Sequence, residues 1–197
     1  MDERMEDNRS KKIVFVSSCL LNTNNKVMGL ARYPGLCKEV FDTLYKYDLG
    51  IMQMQCPETL YLGIQRWWAT KNLYDNVGFR KHCRELTVQV ADYMESYVQV
   101  GYETVAILSC DGSPTCGVTL TSRDKNWGGC PVTLNYNDAL VAGEGVYIEE
   151  LRKEIEARGL TQPPLYGLAL DDESADMGEI LSKFEQFIKG ACSKNEQ

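Results

Sequence analysis

The residues best able to do chemistry are cysteines placed where strand patterns break into turns. Ser109–Gly117, SCDGSPTCG, puts Cys110, Ser113 and Cys116 in one short loop after the aliphatic run Thr104–Leu108. Ile13–Val16 runs into SSCLLN, which carries Cys19, and Ile51–Met54 runs into QCPET, which carries Cys56 and Glu58. Side chains just past the carboxyl ends of neighbouring parallel strands meet in one crevice, so Cys19, Cys56 and Cys116 are expected to converge from distant parts of the chain. Three thiolates without a companion histidine are an unusual zinc set, because structural zinc takes four ligands. They suit a cubane iron–sulfur cluster better, with three irons held by protein and the fourth left open as a Lewis acid. Spacing alone leaves a second alternative standing: three unrelated small residues in strand-end turns.

The elements that must position these thiols follow a β-α alternation. After the first strand (13–16), the Asn- and Gly-rich segment LLNTNNKVMGLARYPG reads as a loop over the sheet edge. Leu36, Val40, Phe41 and Leu44 have helical spacing and place Cys37 in a first turn. The second strand (51–54) leads to Cys56, with Pro57 suited to the first position of a helix. A long helix is expected from about Phe79 to Val100, then the third strand, a helix over 146–158, a fourth strand over 165–170 and a closing helix over 175–189. The segment between Gly117 and the helix at 146 reads as irregular, with a short extended piece at Val132–Asn135. The expectation is an α/β fold: a three-layer sandwich with a mostly parallel sheet in a flavodoxin-like arrangement, its site at the strand carboxyl ends. One domain spans 13–190, between a disordered tail at 1–12 and a second tail at 191–197.

Bulk properties narrow the function classes. A net charge of −7 argues against a large nucleic-acid face, which needs clustered Lys and Arg, and favours a small-molecule partner. No run approaches the roughly 18 apolar residues of a membrane span, and the polar start MDERMEDNRSKK does not read as a signal peptide. The chain is therefore expected to be cytoplasmic, its eight cysteines reduced and free to serve as ligands, catalytic thiols or small core residues.

SCLLN at 18–22, RYPG at 32–35, CPE at 56–58 and SPTCG at 113–117, in this order, resemble the thiouracil desulfidase (TudS) family from the first strand to about Gly159. The resemblance implies a 4Fe-4S cluster held by Cys19, Cys56 and Cys116, with Glu58 and Ser113 as catalytic residues. It also implies a desulfidase reaction, in which the thiocarbonyl sulfur of a small base is replaced by oxygen. An open iron suits a soft sulfur leaving group, Glu58 would activate water or move protons, and Ser113 would orient the heterocycle.

Tyr33, Arg66 and Trp67 are the candidate substrate contacts, Arg66 for an anionic or carbonyl group and Trp67 or its neighbour Trp68 for stacking. The chain departs from the family pattern at Cys110, which reads as an extra ligand, a sulfur relay or a spectator, and at Cys130 in the GGCP turn. Two other function classes stay open. One is a non-catalytic metal or cluster-binding module in sulfur metabolism. The other is metal-free thiol chemistry with a reversible Cys110–Cys116 disulfide. Cys37, Cys83 and Cys192 read as core residues, and His82, flanked by Arg80, Lys81 and Arg84, as a solvated side chain. Asp171 and Asp172 either face the crevice or cap the last helix.

Overall fold

The computed structural model describes residues 7–124, 126, 136–172 and 174–193. In chain order the elements are β1 (Lys12–Ser17), α1 (Ser18–Leu21), α2 (Lys38–Lys46), β2 (Gly50–Met54), α3 (Pro57–Leu62), α4 (Lys71–Tyr74) and α5 (Val77–Gln99). There follow β3 (Glu103–Cys110), β4 (Leu120–Ser122), β5 (Leu140–Ala142), α6 (Val146–Ala157), β6 (Leu165–Leu168) and α7 (Met177–Ser193).

The aliphatic runs form a four-stranded sheet in the order β2-β1-β3-β6, and every pairing in it is parallel. β1 shows why both faces must be covered: Ile13 and Phe15 pack with Phe79, Leu86, Tyr147 and Leu151 of α5 and α6, while Val14 and Val16 pack with Val40, Leu44, Phe184 and Ile188 of α2 and α7. Alternate side chains of one strand thus enter two separate cores, as the two-residue period of a strand requires. The expected three-layer α/β architecture is what the chain adopts.

The strand order fixes where a crevice opens. From β1 the chain crosses to β2 on one side and later returns to β3 on the other, so β1 and β3 flank the point at which connections diverge. Cys19 lies just past the end of β1 and Cys110 closes β3. Between these strands the register jumps from Ile13–Thr104 to Val14–Ala106, leaving Val105 as an extra residue. Beyond it, Ala106, Leu108 and Cys110 all face the α2/α7 core.

Several boundaries differ from the sequence reading. β3 runs two residues further and takes in Cys110, β6 stops at Leu168, and Cys37 is the N-cap of α2 instead of a first-turn residue. The antiparallel β4/β5 pair and the four-residue α4 were not expected, because three- and four-residue elements carry too little periodicity to read. Residues 9–12 are tied to the domain: Lys12 is in β1, Arg9 donates to Tyr102 Oη and the Lys11 carbonyl accepts from Glu103 N. At the other end α7 continues to Ser193 and buries Cys192. Cys130 and Val132–Asn135 lie outside the described residues.

Candidate functional site

The loop after β3 is built before any ligand is considered, and Asp111 is its organiser. Its carboxylate accepts from Val118 N at 2.7 Å, Thr119 N at 2.9 Å, Leu120 N at 3.3 Å and Thr119 Oγ1 at 2.5 Å. This convergence requires a bare backbone opposite: a Cβ placed on Gly167 of β6 would come within 2.1 Å of Asp111 Cγ. The loop is also pressed onto the amino end of α6. Gly145 offers no side-chain cap, so Val146 N donates to the Pro114 carbonyl and Tyr147 N and Ile148 N to the Thr115 carbonyl. A Cβ at Gly145 would meet the Thr115 carbonyl carbon at 2.3 Å, and glycine permits the contact. From below, Ser109 Oγ donates to the Cys116 carbonyl at 2.6 Å. Ser109 has one hydroxyl proton, so in its 2.8 Å contact with Ser17 the latter is the donor.

These restraints hold the loop over a cleft of about 660 Å³, its open mouth included, a size that accommodates a small ligand. Cys19, Cys56, Cys110 and Cys116 all line it. Cys56 N-caps α3, its sulfur accepting from Thr59 N at 3.4 Å. Burial, then Glu58, raises the Cys56 thiol above its ordinary range; burial, then Cys56, raises Cys116 further. Cys110 is raised by its hydrogen bond with Cys19 and then by burial.

Two charged groups belong to the lining. In the first, Glu58 is 8 % exposed and held by three donors: Oε1 accepts from Thr115 Oγ1 at 2.7 Å, and Oε2 from Arg66 Nε at 2.9 Å and Tyr74 Oη at 3.3 Å. Because the Thr115 proton is committed to Glu58, the 3.2 Å contact between Ser113 and Thr115 has Ser113 as donor. Ser113, Thr115 and Glu58 are therefore one hydroxyl-to-carboxylate chain. Ser113 Oγ also accepts from Cys116 N at 3.0 Å and Thr115 N at 3.3 Å, so it shapes the loop as well. The second group is Lys26, whose Nζ lies 2.5 and 2.7 Å from the Asp171 oxygens and 3.5 Å from Cys110 Sγ. Burial lowers the Lys26 ammonium, but Cys110, Cys19 and Asp171 outweigh it and the net shift is upward.

The candidate substrate residues separate. Trp67 stands 61 % exposed at the cleft mouth, whereas its neighbour Trp68 donates from Nε1 to the Met28 carbonyl at 2.5 Å. Arg66 lines the cleft, yet its guanidinium is taken up by Glu58, by Thr59 Oγ1 at 3.1 Å, by the Asn25 carbonyl at 2.8 Å and by Cys56 Sγ at 3.9 Å. Tyr33 is not among the lining residues and donates to Met177 Sδ at 3.3 Å. His82 is not a free surface side chain: Nε2 lies 3.1 Å from the Pro57 carbonyl, which makes it the donor and a brace for the first turn of α3. Asp171 faces the cleft, while Asp172 caps the Ser174 turn. Sequence reasoning missed Thr115 and Lys26. The T of SPTCG and the polar loop after Cys19 were visible, but their partners lie 57 and 145 residues away.

The donor set can be tested against metals. Among the described residues no three His, Cys, Asp or Glu side chains converge closely enough to hold a single ion. Cys19, Cys56, Cys110 and Cys116 line one cleft, and an all-thiol donor set is the kind iron–sulfur clusters use. Among the described residues the buried Tyr147 hydroxyl has no hydrogen-bond partner, and burial followed by the nearby Cys116, Cys83 and Cys56 raises it.

No protein-family model matches the chain. An uncharacterised protein of Methanocaldococcus jannaschii is 29% identical over 181 residues, covering 92% of this chain and 99% of that protein. A solved structure of the [4Fe-4S]-dependent thiouracil desulfidase TudS superposes with a TM-score of 0.48 at 16% identity, covering 89% of this chain and 99% of the other. The α/β architecture stands on this chain's own strand order. No helix among the described residues is long and apolar enough to cross a membrane.

Proposed function

We propose that the chain is an iron–sulfur-dependent desulfidase that replaces the thiocarbonyl sulfur of a small thiolated base with oxygen. The observation that carries this reading is the Ser113–Thr115–Glu58 chain set against four thiols in one cleft. The resemblance of SCLLN, RYPG, CPE and SPTCG supports it. Cys19, Cys56 and Cys116 would hold the cluster, which when bound supplies an open iron with affinity for soft sulfur.

The remaining work falls to the protein. Glu58 accepts the proton of the water that attacks the thiocarbonyl carbon, and the hydroxyls of Thr115 and Ser113 let that proton move along the loop. Arg66 and Tyr74 fix the second carboxylate oxygen, which keeps Glu58 in one orientation. Trp67 at the mouth offers a flat apolar face against which a heterocycle stacks.

The test is anaerobic reconstitution with iron and sulfide, followed by assay of sulfide and uracil released from 2-thiouracil. Loaded protein should release both, and Glu58→Gln should lower the rate about 100-fold at unchanged iron content. Full iron loading with no sulfide from thiouracil or from thionucleosides would refute the enzyme and leave a cluster-binding module.

A further inference from the structure

Desulfidation by Glu58, Thr115 and Ser113 leaves two buried charges of the cleft unused, Lys26 and Asp171. Their side chains are 6 % and 8 % exposed, and both line the cleft. Local structure brings each of them in. Asn22 caps a single 3-10 turn, Thr23–Asn25, by accepting from Asn24 N, and Lys26 closes that turn with its N–H on the Thr23 carbonyl. Thr23 N donates to the Gly35 carbonyl at 2.7 Å, which ties the two ends of the loop together. Arg66 donates both to the Asn25 carbonyl and to Glu58, so the lysine turn and the carboxylate of the proposed reaction share one brace. Asp171 arrives from the far edge of the sheet, three residues past Leu168, which lies beside Cys110.

A buried ion pair is costly unless its remaining hydrogen-bonding capacity is met. The three protons of Lys26 Nζ have three neighbours: the Asp171 oxygens at 2.5 and 2.7 Å, and the Cys110 sulfur, a weak acceptor, at 3.5 Å. A carboxylate has about four lone-pair sites. Among the described residues Asp171 receives two contacts from Lys26 and one from Cys110 Sγ at 3.5 Å. The pair therefore carries, side by side, a donor with a poor third partner and an acceptor with a site to spare. Because the two charges cancel, a phosphate would meet a carboxylate as well as an ammonium. A neutral group with an adjacent donor and acceptor matches both.

We propose that Lys26 and Asp171 read the lactam edge, H–N–C=O, of the bound base: Asp171 accepts from the ring N–H and Lys26 donates to the adjacent carbonyl. This rests on the reading of the cleft as a base-binding site and narrows the substrate to neutral thiolated bases and nucleosides that keep that edge. In 2-thiouracil the edge is N3–H with the C4 carbonyl, next to the thiocarbonyl carbon and separate from it, so recognition leaves the reacting carbon open. Both contacts are hydrogen bonds to a charged group, the stronger kind, and a ligand without the N–H leaves the buried carboxylate short of a donor. An ion pair that only pinned the loop would hold the fold and discriminate between no ligands.

The probes are uracil, 1-methyluracil and 3-methyluracil, which lack the reacting sulfur, so binding is measured without turnover. Equilibrium dialysis against the full chain, reconstituted anaerobically with iron and sulfide, should give similar Kd values for uracil and 1-methyluracil. 3-Methyluracil should bind about 10–100-fold more weakly, since a methyl replaces the N–H that met a charged acceptor. Lys26→Met combined with Asp171→Leu removes both charges at once and should bind uracil and 3-methyluracil equally. The methyl comparison needs no variant, so it decides the matter even where the double substitution unfolds the chain. Equal binding of uracil and 3-methyluracil by the unaltered chain, no binding of uracil, the same penalty for both methyl derivatives, or an unchanged preference in a folded double variant would each overturn the inference. Sulfide release from 2-thiouracil and its 3-methyl derivative at equal kcat/KM would remove the edge reader and leave the desulfidase. Uracil binding with the 3-methyl penalty, in a loaded chain that releases no sulfide, would leave the edge reader standing and remove only the enzyme.

Discussion

Replacing Gly167 by alanine tests the chain of restraint that holds the cysteine loop. The new methyl would lie 2.1 Å from Asp111 Cγ and 2.2 and 2.3 Å from its oxygens, so the carboxylate must move. It carries four hydrogen bonds to the loop, from Val118 N, Thr119 N, Thr119 Oγ1 and Leu120 N. Bonds to a charged group contribute about 1.5–3 kcal/mol each, and water recovers part of this once the loop opens, which gives a net loss of about 3–4 kcal/mol. For a chain of this size that corresponds to a fall in Tm of roughly 6–16 °C. Thermal unfolding measures the loss, and amide exchange at Val118 and Thr119 locates it. The decisive arm is a double-mutant cycle: in an Asp111→Ala background the Gly167→Ala change should cost less than about 1 kcal/mol, since the three atoms nearest the new methyl all belong to the Asp111 carboxylate. An equal cost in both backgrounds would show that Asp111 does not fill the space over Gly167.

Thr115→Val keeps the shape and removes the link between Ser113 and Glu58; it should lower desulfidation about 100-fold with KM little changed, and Thr115→Ser should restore most of the rate. Lys26→Met leaves the Asp171 carboxylate buried without its partner and should cost about 3–5 kcal/mol in urea unfolding, most of it recovered by adding Asp171→Leu. Burial by itself would raise Glu150, but hydrogen bonds from Lys153, Arg80 and Arg84 outweigh it and the net shift is downward. The stabilisation from Glu150 is therefore complete above its unfolded value of about 4.3 and is lost as the pH falls through the lower folded value. Urea midpoints measured between pH 6 and 3 should fall less steeply in Arg80→Gln than in the unaltered chain; identical slopes would remove Arg80 from the account.

How far the sequence could be read depended on the range of the signal. Strand runs, the N1 proline of α3 and the glycine stops are local chemistry, so β1, β2, β3 and the long helices emerged within a few residues of their observed ends. β4 and β5 were invisible because a three-residue strand has no period, and α4 because one helical turn has none either. At the site, the cysteines were legible since each follows its own strand. Arg66 illustrates the opposite case. As a lone arginine it reads as a substrate contact, yet its guanidinium is occupied by Glu58, Thr59, Asn25 and Cys56. Tyr33 likewise turned away to Met177, 144 residues further along the chain.

The sequence by itself determined that thiols follow strand ends and that strands alternate with helices, because both are written in the types and spacing of neighbouring residues. The tertiary structure alone decided which groups meet. The fold set Thr115 between Ser113 and Glu58, and Lys26 on Asp171. Such meetings depend on register and crossover across long stretches of chain. Buried polar groups have to find partners wherever the fold brings them, and no local pattern records where that is.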